Sequence, residues 1–485
     1  MAGKKLEQAK KALRFCVASL NDDDRFEVIR FATESDALFG NLVPADRTHR
    51  DRADRYIQDL RALGGTAIHE ALQRALALRP ADSGRPFLVI FLTDGLPTVG
   101  PTDVETIVSA VTQASHGKTR VFCFGIGTDV NTRLLDRITE TTRATSAYVL
   151  PDEDLEVKVS NFFAKIKDPV LANPTLVLPD GIRLASLYPS PLPDLFKGEQ
   201  LIAVGRYRGE GRGRLTLGGE LNQQTRRFEF PVEFAQGATA HDFIPRLWAT
   251  RRIGHLLDEI RLRGESKELK DEVVELARKY GLVTPYTAYL IHEDERARGV
   301  PLALQSLPQF ATNLTAFQAT EAAYMGLKRD VSGQSAVAAA RYGLVNRNAL
   351  QADSALAAGR QEAATALATL PSNGLVVPTS PAAMPSRVLP STRPGGLAPS
   401  GDLAADVIRY GEQSRHVNGR TFFQNGNAWV DSQIQGLPTA KIERIPFGSP
   451  EYFELLAREP QVRPWLALGP SVKFVMDGCV YEIHE

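Results

Sequence analysis

Cysteine is scarce in this chain, with three among 485 residues. Cys16, Cys123 and Cys479 are far apart, none forms Cys-x-x-Cys, and no zinc-ligand spacing occurs, so neither a disulfide framework nor a structural zinc site is indicated. Cys16 falls on the apolar face of a helical pattern and Cys123 inside Val121-Phe122-Cys123-Phe124, and both read as buried free thiols. Net charge is also lacking: 57 Lys and Arg balance 57 Asp and Glu. Bulk charge therefore gives no reason to expect nucleic acid or an anionic membrane as partner. No apolar run reaches the roughly 18 residues that span a bilayer. Lys4 and Lys5 are not followed by the apolar core of a signal peptide. Gly-x-Ser-x-Gly and His-Glu-x-x-His are both absent, and His69, His255 and His292 stand singly, as surface or packing residues do.

What remains is ordinary globular material: a hydrophobic content of 43% and a length that suits several domains. Residues 4–168 alternate helical and strand patterns. Leu6, Ala9, Leu13, Cys16, Val17 and Leu20 recur with helical period. Arg25 to Thr33 reads as a strand with a short partner near Ala37–Phe39, then a polar helix over Asp51–Leu60. A further helix starts after Thr66, a plausible N-cap. Phe87–Leu92 is continuously apolar, the mark of a strand covered on both faces. Helix 102–115, strand 119–125, helix 131–142, strand 146–150 and helix 152–167 follow, which is a doubly wound α/β pattern.

Residues 169–240 read as an antiparallel, sandwich-like β module of short alternating segments between Gly, Pro and Asp turns. Within it, Arg206 to Arg214 interleaves Arg and Gly and reads as a hairpin turn, not an RNA-binding stretch. Residues 241–299 hold a helical pair broken at Arg263–Ser266. Residues 300–400 show little period and, over Pro371–Ser400, low charge and much proline, as in a disordered linker. Residues 401–485 regain strand patterning around a helix at Pro450–Arg458, a small α+β tail domain expected to fold by itself.

Two pieces carry chemistry. Gly64-Gly65-Thr66 places a hydroxyl after two glycines, which let the backbone turn tightly. Asp94-Gly95 follows the apolar strand, putting a carboxylate at the rim where parallel sheets bind ligands. Together these resemble two of the three metal-site loops of a von Willebrand factor A domain. The resemblance implies Thr66 as the second-loop ligand, Asp94 as a third-loop carboxylate acting through water, and Gly65 and Gly95 as loop-shaping residues. It implies Mg²⁺, Mn²⁺ or Ca²⁺ as the ion. An under-neutralised ion of this kind can take an Asp or Glu of a protein partner as its last ligand.

In that family the first metal loop reads Asp-x-Ser-x-Ser and precedes a helix like that of Lys4–Leu20. No such motif occurs here. The expectation is a Rossmann-like sheet without its first, central strand, between the strands at 25–33 and 87–92, with coding sequence continuing upstream of Met1 and ion binding doubtful.

Phe243-Ile244-Pro245-Arg246-Leu247-Trp248-Ala249 and Tyr280-Gly281-Leu282-Val283-Thr284-Pro285-Tyr286-Thr287 extend the resemblance to inter-alpha-trypsin inhibitor heavy chains and their bacterial relatives, over about residues 1–295. The tail from Gly419 resembles the bacterial members less specifically, and neither the vault-type domain nor the acidic glycosaminoglycan attachment site has a counterpart. The implied function is a protein-binding, adhesion-type module without enzyme activity. The alternative is an A-domain subunit regulating an ATP-driven enzyme such as a metal chelatase. Gly125-Ile126-Gly127-Thr128-Asp129-Val130 mimics a dinucleotide fingerprint, but Val130 replaces the third glycine and a plain strand-to-helix turn is expected. Compartment, ligand identity and oligomeric state are not legible.

Overall fold

The computed structural model describes residues 1–80, 85–221, 224–235, 241, 243–368, 400–437 and 440–485. The chain divides into two compact units, Met1–Ile244 with Asp330–Arg341, and Pro245–Arg329 with Tyr342–Glu485.

The first unit opens with helix α1 (Lys4–Ala18), strands β1 (Arg25–Phe26), β2 (Ile29–Phe31), β3 (Ser35–Ala37) and β4 (Val43–Pro44), and helices α2 (Arg47–Gln58) and α3 (Ile68–Ala77). Then come β5 (Phe87–Thr93), α4 (Val104–Ser115), β6 (Thr119–Ile126), α5 (Thr132–Thr141), β7 (Ser146–Val149) and α6 (Leu155–Ile166). β5, β6 and β7 form a parallel three-stranded sheet, paired from Phe87 against Thr119 onward. Every residue of β6 is buried, as its place in the middle requires. α1 and α6 cover one face, where Ala9, Ala12 and Cys16 pack with Leu92, Phe124, Val149, Leu155 and Phe163. Asp46, Asp103, Asn131 and Asp154 cap α2, α4, α5 and α6 by accepting a backbone N–H from three residues on.

The strand expected over Arg25–Thr33 is broken in two. Among the described residues β1 pairs only with β4, and β2 only with β3, both antiparallel. The Glu27 carboxylate accepts the backbone N–H of Val28 at 2.7 Å and of Phe39 at 3.0 Å, a side-chain arrangement that competes with a continuous ladder. The helix expected at Asp51 starts earlier because Asp46 caps it.

Among the described residues β5 has a hydrogen-bonded neighbour on one side only, β6. Against its other side lies a cavity of about 1800 Å³, whose walls include α1, β2, α3 and the whole of β5. This is where the sequence led us to expect an absent central strand.

The β module follows as β8 (Pro169–Val177), β9 (Arg183–Tyr188), β10 (Leu195–Phe196), β11 (Val204–Arg208), β12 (Gly211–Leu221) and β13 (Gln224–Phe234). It makes a four-stranded sheet in the order β10-β8-β12-β13 and a two-stranded one, β11-β9. The turn at Gly209-Glu210 is therefore not a hairpin: the strands flanking it belong to different sheets. Arg120 of β6 anchors the module, with its guanidinium 2.7 Å from the Asp194 carboxylate and both side chains over nine-tenths buried.

The second unit carries α7 (Phe243–Arg263), α8 (Lys267–Tyr280), α9 (Pro285–Ala297), α10 (Pro308–Thr312), α11 (Leu314–Arg329), α12 (Gly333–Arg347, shared between the units), α13 (Ala352–Ala368) and α14 (Ser400–Glu412). The reading of 300–400 as linker is thus corrected over 308–368. Alanine-rich helices here need no broad polar stripe, because their small side chains pack closely and are buried: Ala336, Val337, Ala338, Ala339 and Ala340 are all nearly inaccessible. Residues 369–399, with most of the Pro-rich stretch, lie outside the described residues.

The tail forms a six-stranded mixed sheet around the helix Pro450–Arg458. It is not separate from the helices of its unit. Thr421 donates to the Lys279 carbonyl at 2.7 Å, Gln435 to the buried Glu295 at 2.7 Å, and Tyr410 packs on Phe310. No helix among the described residues is long and apolar enough to cross a membrane.

Candidate functional site

The rim at the carboxyl end of β5 is built from two loops. Gly65 has φ +85°, a backbone state that L side chains avoid. A Cβ there would stand 2.6 Å from Thr33 Oγ1 and 2.9 Å from the Thr33 backbone. Thr33 Oγ1 donates to the Gly64 carbonyl at 2.8 Å, and Ala67 N–H to the Ala32 carbonyl at 2.8 Å. The loop is therefore pinned to the end of β2. Behind it, the Ser35 hydroxyl donates to Glu70 at 2.6 Å, and this bond with that from the Ser35 amide holds the Glu70 carboxyl below its usual range.

The second loop leaves β5 through buried Thr93, whose hydroxyl accepts from Gly95 N–H at 3.4 Å. Thr98 N–H donates to the Thr66 carbonyl at 3.1 Å, which ties the two loops together. A Cβ on Gly95 would stand 3.5 Å from Thr66 Oγ1, so the hydroxyl faces that glycine. Thr66 does not cap α3, as its sequence position suggested: the N-cap is Ala67, with no side-chain bond. The Asp94 side chain is 26% exposed, with Oδ1 3.1 Å from the α-amino nitrogen of Met1. The structure thus places Thr66, Asp94, Gly65 and Gly95 in one rim. Thr33, which clamps it, went unnoticed in the sequence, where a lone Thr at a strand end carries no signal.

Of the residues the resemblance names, Thr66 offers a hydroxyl and Asp94 a carboxylate, while the Thr33 and Thr93 hydroxyls bond to the loops' own backbone. A hard divalent ion takes about six oxygens, several of which can be water, but usually more than one protein anion or a bound phosphate holds it. Among the described residues no group of three or more His, Cys, Asp or Glu stands where it could hold a metal. The donor set present does not fit a firmly held ion.

The Gly125–Val130 turn resolves as packing. A Cβ on Gly125 would lie 2.9 Å from the Tyr148 ring and 3.0 Å from Val130.

Residues 1–147 match the family model described as von Willebrand factor type A domain. This part of the chain resembles a von Willebrand factor A domain. The chain also resembles inter-alpha-trypsin inhibitor heavy chains: it is 28% identical to heavy chain H4 of Homo sapiens over 310 residues, 60% of this chain and 33% of that one. With heavy chain H3 of Bos taurus the identity is 26% over 353 residues, 67% of this chain and 39% of the other. The chain thus spans between a third and two fifths of the length of these relatives. Among solved structures it is similar to a von Willebrand factor type A protein from Catenulispora acidiphila, with TM-score 0.42, 19% identity, and coverage of 59% of this chain and 77% of that one. A second is proximal thread matrix protein 1 from the mussel byssus with a zinc-occupied metal-site motif, with TM-score 0.28, 17% identity, and coverage of 36% and 44%.

Proposed function

We propose that this chain is a protein-binding module, without enzyme activity, whose binding face is the rim formed by Thr66 and Asp94. The observation that carries the reading is the tie between the two loops, Thr98 N–H to the Thr66 carbonyl, at the carboxyl end of a parallel strand. The family resemblance implies a partner that presents Asp or Glu, with Mg²⁺, Mn²⁺ or Ca²⁺ at the rim. The two donors here support only weak ion binding, so ion-dependent capture is impaired in residues 1–485. Thr66 and Asp94 are the metal-site residues of this reading.

The test is thermal melting of the full chain with and without millimolar Mg²⁺ or Mn²⁺, repeated for Asp94→Ala. An ion held at a Kd near its own concentration adds only about 0.4 kcal/mol. The melting temperature should therefore move by no more than about 2 °C. A large ion-dependent rise that Asp94→Ala removes would show that another group completes the ion's coordination, and the impaired-site reading would fail. Binding of an Asp-containing peptide by wild type but not by Asp94→Ala supports the rim as the binding face; equal binding by both places the face elsewhere.

A further inference from the structure

The tail of the second unit carries an apolar groove that its own core does not use. Helix α15 (Pro450–Arg458) turns Tyr452 and Leu455 inward, onto a core shared with Trp465, Phe474 and Ile483. Its other side leaves Phe453 60% exposed, and Phe447, just before the helix, is 49% exposed. The rings of Phe447 and Phe453 both meet Tyr452 edge-on, with centroids 5.1 and 5.4 Å apart, so the three form one continuous aromatic surface.

Phe453, Leu456 and Ala457 line one wall of a groove of about 530 Å³, and Leu466 and Ala467, at the end of the short helix α16 (Arg463–Leu466), line the other. Binding pockets commonly measure roughly 300–1,000 Å³. Contiguous exposed apolar surface edged by polar groups is characteristic of interaction sites.

One charge stands in the groove. Arg463 holds its guanidinium against α15, with Nε and Nη2 donating to the Leu456 carbonyl at 3.4 and 3.3 Å. That carbonyl lies in the last turn of α15, where C=O groups lack helical partners. Among the described residues no carboxylate pairs with Arg463, and its Nη1 is left to donate to an incoming anion. A guanidinium already fixed in place loses little freedom when it binds a carboxylate.

The walls decide the form of the occupant. Both are helical, so the groove offers no strand edge to pair with. An extended peptide laid over Phe453 and Leu456 would bury its own N–H and C=O groups against apolar carbon, without partners. A helix satisfies its backbone internally and buries only side chains.

We propose that this groove is a docking site for a short amphipathic helix of a partner protein. Apolar side chains at i and i+3 or i+4 of that helix enter between Phe453 and Leu466, and an Asp or Glu beside them pairs with Arg463. The site is independent of the role of Thr66 and Asp94.

The experiment follows the fluorescence anisotropy of labelled helical peptides added to the full chain. Each peptide carries Leu or Phe anchors on one face and either Glu or Lys next to them. The Glu helix should bind the wild type at least about tenfold more tightly than the Lys helix, and Arg463→Glu should reverse that order. Phe453→Asp, at an exposed position outside the core, should remove binding of both, and so should a proline in the middle of the Glu peptide. Equal binding of the Glu and Lys helices would overturn the proposal, as would an unchanged preference in Arg463→Glu or no binding of any peptide. Undiminished binding by Phe453→Asp would place the helix elsewhere, and equal binding of the proline peptide would mean an extended occupant; either result overturns it. Dimers of the chain alone that Phe453→Asp dissolves, read by sedimentation, would show that a second copy fills the groove, and the partner-helix proposal would fall.

Discussion

Thr33 and Gly65 meet so closely that no side chain fits between them: a Cβ on Gly65 would come within 2.9 Å of Thr33 Cα. The contact joins the end of a strand to the loop that carries Thr66, and it shapes the rim before any ligand is considered.

Gly65→Ala should therefore be costly twice over. The positive φ alone costs about 1–3 kcal/mol in a residue with a side chain. The overlap with Thr33 backbone adds to it, because backbone cannot swing aside. Denaturant unfolding of the first unit should show a loss of at least about 1 kcal/mol, whereas Gly64→Ala, where a Cβ meets nothing, should leave stability closer to wild type.

Asp194→Ala tests the docking of the β module. It would leave the Arg120 guanidinium, 3% exposed, without its carboxylate. Breaking a buried pair by removing one partner costs about 3–5 kcal/mol. A melt unchanged by the substitution would mean that the guanidinium is satisfied by Asn173, which it also reaches at 2.8 Å.

The second unit should weaken in mild acid. Burial depresses the pKa of His292, which sits edge-on to Phe317 and Phe310, and burial also depresses that of His255 despite nearby Glu259. A base whose folded pKa lies below its unfolded value of about 6.5 binds more protons when unfolded. Its neutral form thus supports stability fully above that pH, and the support is lost as pH falls below it. Urea unfolding at pH 7.5 and 5.5 should show this loss, and His292→Gln should reduce the difference.

Cysteine labelling should follow burial. Desolvation pushes the Cys16 thiol up to about 12 and that of Cys123 up as well, which leaves little thiolate at neutral pH. Cys479 is only half-buried. Iodoacetamide on the native chain, read by mass spectrometry, should modify Cys479 first.

Much of the fold was legible because its signals are local. The apolar run Phe87–Leu92 and the alternation of helices around it announced a parallel sheet, and β5-β6-β7 is that sheet. The helices over 308–368 were missed for an equally physical reason. The Ala336–Ala340 segment of α12, for one, is buried on several sides and has no polar face to reveal a helical period. The tail was read as independent because the Pro-rich stretch precedes it, yet Thr421 and Gln435 bond to the helices of the same unit.

By itself the sequence determined which residues carry the rim: two glycines before Thr66, and Asp94-Gly95 after an apolar strand, are short-range patterns that backbone sterics make readable. Only the tertiary structure decided how the rim is held. Hydrogen bonds between strands and the clamp of Thr33 on the Gly64–Gly65 turn join residues remote in the chain, and nothing local encodes them. Among the described residues, the region 25–33 forms two short strands, β5 is hydrogen-bonded on one side only, and a cavity of about 1800 Å³ stands beside it.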